Sequence, residues 1–132
     1  LVQLEAGSVA TTFDARSVGD ELALCQRYYQ KSYNIDTAVA SATTIGALRF
    51  VAATGAGEAA PIVMLPVTMR ATPTVVFYSP NTGTAAKAYN YSTAADVTNS
   101  ATNTSGMRGW SGSTGFGATQ IIGYHYTASS EL

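Results

Sequence analysis

The chain has 132 residues, of which 11% are charged, with 7 basic against 8 acidic side chains and a net charge of −1. That length suits one domain able to bury a core without disulfides or metals, and a charged fraction well below the usual ~25% implies a polar but uncharged surface. The balance lacks the basic footprint of a nucleic-acid binder, the one cysteine rules out an intrachain disulfide scaffold, and no apolar run approaches the roughly 20 residues of a membrane-inserted helix.

Residues 1–10, "LVQLEAGSVA", alternate Val2, Leu4 and Ala6 with Gln3 and Glu5, the period of a half-buried strand broken at Gly7 and Ser8. They read as a strand already under way rather than as a signal peptide. Residues 1–16 are therefore expected to form a strand or linker from a preceding domain of a longer polypeptide. A helical segment follows over residues 17–31. Ser17 can cap its first turn, with Asp20 completing an acidic variant of the capping box. Val18, Leu22, Cys25 and Tyr29 then fall on one helical face, widened by Leu24 and Tyr28, which predicts a helix over about residues 18–30. Its Leu22, Cys25, Tyr28 and Tyr29 are expected to pack on the sheet or on a neighbouring subunit, with Cys25 as a small buried hydrophobe.

Residues 32–132 carry the patterns of strands. "TTIGALRFVAATG" alternates Ile45, Ala47 or Leu48, Phe50 and Ala52 with smaller or polar residues and reads as a strand. "APIVMLPVTMRATPTVVFYSPNTG" is dense in β-branched residues, and its Pro66 and Pro73 divide it into two strands. The segments "AKAYNYSTAADVT", "TNTSGMRGWSGS" and "ATQIIGYHYTASSEL" each read as a strand between polar turns. This spacing predicts an all-β fold, an antiparallel, jelly-roll-like β-sandwich preceded by one short helix.

No catalytic set stands out. His125 is the only histidine, and neither HExxH nor CxxC spacing is present, so no metal site is expected. Cys25 and His125 lie in no cysteine-hydrolase signature. The acids sit near the termini, at the helix start or in expected loops, away from a paired-carboxylate arrangement. "GAG" and "GFG" lack the lysine and the strand-to-helix setting of a phosphate loop. No cofactor is implied. Strand alternation puts His125 on the face opposite Tyr124 and Tyr126, with exposed or interfacial packing expected. Tyr89, Tyr91 and Trp110 stand among small polar residues, and Asn90 and Arg108 add donors. Such a set can hold an uncharged sugar ring by stacking and directed hydrogen bonds, or else fill a core or an intersubunit seam.

Three stretches carry a family resemblance. Residues 3–32, "QLEAGSVATTFDARSVGDELALCQRYYQKS", resemble the segment QLE-G-ATPFE-R-GxELALCQRYY of phage tail-fibre and other virion structural proteins. "LPVTMRATPTVVFYSPNTG" is similar to their strand pair through Pro66, Met69, Arg70, Pro73 and Thr74, and "GYHYTASSEL" to their closing strand. Thr12 replaces the usual proline of that segment, and residues 84–115 match no family pattern. The resemblance implies a C-terminal β-sandwich of a virion appendage that forms a homotrimer, contacts other tail or capsid proteins and meets the host surface through variable loops, and it implies no catalytic centre; with the aromatic and polar loop residues, the expected ligand is a host surface glycan. Its alternatives are a trimerisation cap, capsid fibre or connector, and the non-catalytic end of a depolymerase tailspike.

Overall fold

The structure is a computed structural model that describes residues 6–9, 16–52, 62–98, 106, 108–110 and 119–130. It is antiparallel β with one short N-terminal helix, the all-β class expected from the sequence. The expected opening strand falls largely outside the described residues.

Helix α1 spans Val18–Gln26. Ser17 caps it as anticipated: its Oγ accepts from the Asp20 N–H at 3.1 Å and its hydroxyl donates to Asp20 Oδ2 at 2.7 Å. The helix is shorter than the 17–31 segment expected. Arg27 N–H reaches the Leu24 carbonyl at 3.3 Å and Tyr28 N–H the Cys25 carbonyl at 3.0 Å, a tightened final turn. Strand β1, Tyr29–Lys31, then leaves in extended form, because Tyr29, Gln30 and Lys31 find ladder partners in Ser129, Ala128 and Thr127.

The remaining strands are β2 Leu48–Val51, β3 Val63–Met64, β4 Thr74–Tyr78, β5 Lys87–Asn90, β6 Ala95–Thr98, β7 Gly109–Trp110 and β8 Ile121–Ser129. The single strand expected over residues 86–98 is instead the β5–β6 hairpin. Asn90 Oδ1 accepts from the N–H groups of Ser92 and Thr93 at 2.9 and 3.2 Å, so its side chain starts a turn where periodicity suggested continuation.

β8 is the spine. It pairs antiparallel with β1, β2, β4 and β5, and β6 extends the sheet beyond β5. Successive strand residues point their peptide groups to opposite edges. The carbonyls of Gln120 and Tyr126 accept from Ala52 and Ser32, whereas that of Ile121 accepts from Tyr91. β1 and β2 therefore share one edge of β8, interrupted by the loop 32–47, and β4 and β5 share the other, interrupted by the loop 79–86. The two loops meet: Gly83, at φ 72°, lies so close to Ala40 that a Cβ there would overlap the Ala40 carbonyl. β3 and β7 form a separate two-stranded ribbon, with Val63 opposite Trp110.

Residues 122–128 of β8 are buried on both faces. On one face Ile122, Tyr124, Tyr126 and Ala128 join Phe77, Met69, Leu65 and Ala88 in the core. Phe77 and Phe50 meet the Tyr124 ring edge-on, with centroids 5.2 and 6.0 Å away. Burial pushes the Tyr124 phenol up to about 12. The other face bears Gly123, His125 and Thr127. No helix among the described residues is long and apolar enough to cross a membrane.

Candidate functional site

The five residues proposed from sequence for ligand contact divide between two sheets. Tyr89 and Asn90 lie on β5 with Tyr91 in the following turn, while Arg108 and Trp110 belong to the β3–β7 ribbon. Arg108 is exposed, and its carbonyl accepts from the Leu65 N–H at 3.0 Å. The backbone of Trp110 pairs with Val63; its side chain lies outside the described residues. Asn90 does not present a free amide. It is only 2% exposed, its Nδ2 donates to Gln120 Oε1 at 2.8 Å, and its Oδ1 is taken by the turn.

Register brings other partners to Tyr89. Arg49 on β2 lies opposite Gly123 on β8, Gly123 opposite Tyr89, and Tyr89 opposite Asp96 on β6, so all four share one face of the sheet. The Tyr89 and Tyr91 rings meet edge to face, 5.0 Å apart at 84°. Tyr91 rests on Gly123, where a Cβ would stand 2.6 Å from its Cε2, and lies under the Arg49 guanidinium at 4.2 Å. Its hydroxyl is buried and makes no hydrogen bond among the described residues. Asp96 accepts from Ser79 Oγ at 2.5 Å and Thr82 Oγ1 at 2.6 Å, which anchors the 79–86 loop beside this face. Lys87 Nζ donates to Thr98 Oγ1 at 3.0 Å on the same strand pair. The result is a surface of aromatic rings, a guanidinium, an ammonium, a carboxylate and hydroxyls. Sequence spacing carries no sign of Arg49 or Asp96, because only strand register unites them with Tyr89.

The helix differs from expectation. No residue of α1 is buried, and Cys25 is an exposed free thiol instead of a core hydrophobe. Leu22, Tyr28 and Tyr29 are 46%, 45% and 41% exposed. The cause is geometric: α1 runs straight into β1 at the sheet margin, so its apolar stripe overhangs the sheet. Leu22, Cys25 and Tyr29 face Ile35, Pro66 and Tyr126 across a groove of about 360 Å³. The Arg70 guanidinium lies 5.6 Å over the Tyr28 ring on the flank.

His125 is fully buried, against the exposed or interfacial packing expected. Its ring stacks on Tyr33 at 3.9 Å and 14°, and both nitrogens have partners, Ser32 Oγ and the Thr43 carbonyl, each at 2.8 Å. The loop 32–47 folding over β8 covers a face that strand alternation alone would leave open. No group of three metal-capable side chains occurs among the described residues. No family model, curated protein or solved structure matches the chain.

Proposed function

We propose that the chain is a non-enzymatic module of a phage tail fibre or other virion appendage, assembled as a homotrimer and recognising a host cell-surface glycan. The observation that carries the recognition is the sheet face where Tyr89 and Tyr91 meet at right angles beside Arg49, Lys87 and Asp96. An aromatic edge next to fixed donors and acceptors suits an uncharged sugar, which offers apolar C–H faces and many hydroxyls. The trimer supplies three copies of a weak site acting together through effective concentration. The resemblance of residues 3–32 to tail-fibre segments supports the setting.

Glycan-array and host-cell binding by the assembled protein test the reading. Tyr89→Ala and Arg49→Ala are expected to lower binding at least about tenfold while retaining the folded far-ultraviolet spectrum, one good contact being worth ~1.4 kcal/mol. No binding to any susceptible host surface would remove the proposal.

A second reading, a trimerisation cap or connector, is favoured by α1. A helix of nine residues is marginal in water on its own, and no residue of this one is fully buried within its own chain. Val18, Leu22, Tyr29 and Ile35 form apolar surface that a neighbouring subunit would cover. Leu22→Asp is then expected to shift the assembly to monomer in analytical ultracentrifugation. If that variant still adsorbs the glycan as a monomer, recognition and assembly are separate properties of the two faces.

A further inference from the structure

The lone histidine joins the sheet to the loop 32–47 through a directed chain of hydrogen bonds. Tyr126 N–H donates to Ser32 Oγ at 3.0 Å, and His125 lies 2.8 Å from both Ser32 Oγ and the Thr43 carbonyl. A carbonyl only accepts, so the ring proton resides on Nε2 and points to Thr43. Nδ1 is then the acceptor for the Ser32 hydroxyl. The imidazole is neutral, sealed from water and stacked on Tyr33.

We propose that His125 is an acid-sensitive latch: protonation of its Nδ1 releases the loop 32–47 from β8 while the surrounding sheet stays folded.

A second ring proton makes both nitrogens donors. Ser32 Oγ would then have to accept from Tyr126 N–H and from Nδ1–H together, leaving its own proton without its partner. The new charge also finds no carboxylate. The loop presents the Tyr33 phenol, the Ser32 hydroxyl and the Thr43 carbonyl; β4 presents Tyr78, opposite His125 in the ladder. On β8 itself, Tyr124 and Tyr126 project to the other face. β2 begins at Leu48, opposite Tyr124, and places Arg49 opposite Gly123 on the face that bears His125, a further positive charge that stands over the Tyr91 ring; beyond β5 on that face, the Asp96 carboxylate is already bonded by the Ser79 and Thr82 hydroxyls. Lys31 is held at the start of the loop by the carbonyls of Ile35 and Thr37, at 3.2 and 2.7 Å, and Asp36 is exposed and bonded by the Thr37 hydroxyl.

Burial holds the imidazole below its ordinary value of 6.5, opposed only in part by the bond to Thr43. The closed loop therefore refuses a proton that the open loop accepts. Opening is favoured as pH falls below 6.5 and levels off once the lowered value is passed. At its first residue the loop is tied to β8 by the Ser32 N–H to the Tyr126 carbonyl at 3.1 Å; its other backbone bonds, Thr37 to Asn34, Ser41 to Ala38 and Ala47 to Thr44, are local. Because Tyr33 and Ile35 line the groove beside α1, acid would dismantle that wall as well.

Amide hydrogen exchange on the full chain between pH 8 and 5, corrected for intrinsic rates, tests this together with an NMR titration of the imidazole. The expected result is a titration below 6.5, with protection of the Ser32 and Ala47 amides falling as pH drops through that window, by at most about tenfold per pH unit for the one proton taken up. Ladder amides of β4 and β8 should keep theirs, apart from that of Tyr126, whose N–H is held by Ser32 Oγ. His125→Phe preserves a stacking ring that takes no proton, and its loop protection should be flat over the same range. An imidazole titrating at or above 6.5, loop and ladder failing together, or the same loss in the variant would each overturn the latch. Should the variant not fold, the wild-type titration and the loop-to-ladder split decide alone.

Discussion

β8 and α1 are each nine residues long and each carry an apolar stripe, yet they end in opposite environments. Residues 122–128 of β8 are buried, whereas α1 buries none of its side chains. The difference lies in what the rest of the chain can bring to each. A strand offers two edges and two faces, and β8 fills them with four strands, a core and a folded-back loop. A helix joined to the sheet margin by β1 offers a stripe that its own chain covers only in part. Burial is thus a property of an element's place in the topology, and apolar periodicity alone states only that some surface wants covering.

Substitutions on the two sides should differ accordingly. Phe77→Ala removes a ring 1% exposed that meets Tyr124 and is expected to cost about 3–5 kcal/mol, read as a fall in the urea midpoint. A loss under about 1 kcal/mol would mean that the core is not organised around β8. Gly83→Ala forces a side chain into positive φ against Ala40 and should cost about 1–3 kcal/mol, with the 79–86 and 32–47 loops losing exchange protection first. On the helix side, Ser17→Ala removes the cap and should weaken α1 by about 1 kcal/mol. Its signature is faster exchange of the α1 amides in the monomer with little change in the global transition. Cys25→Ser should be the mildest, within about 0.5 kcal/mol, since the thiol is exposed. Rapid reaction of Cys25 with a disulfide reagent in the monomer would agree, and a thiol protected in the monomer would return it to the core.

Legibility from sequence followed the range of each interaction. The Ser17 cap and the strands "TVVFY" and "IIGYHYTAS" could be read because the signals lie within a few residues. The end of α1 is not legible locally, because the helical stripe continues through Tyr29 while the competing β1 partners lie about a hundred positions away at residues 127–129. Asn90 looked like a donor for a ligand because asparagine among tyrosines fits that role; its turn-forming bonds depend on the hairpin that it starts. Of the five proposed contact residues, Tyr89 and Tyr91 do meet, but Arg49 replaces Arg108 as the cation beside them.

The sequence by itself determined the all-β class, the helix start and the turn at "SPNTG", since capping, proline geometry and alternation act over three or four residues. Only the tertiary structure decided that His125 is sealed beneath a loop, that Cys25 faces outward, and that Arg49, Gly123, Tyr89 and Asp96 stand in one row. Those outcomes depend on strand register and on which edge of β8 each segment takes, and both are settled by contacts between residues far apart in the chain.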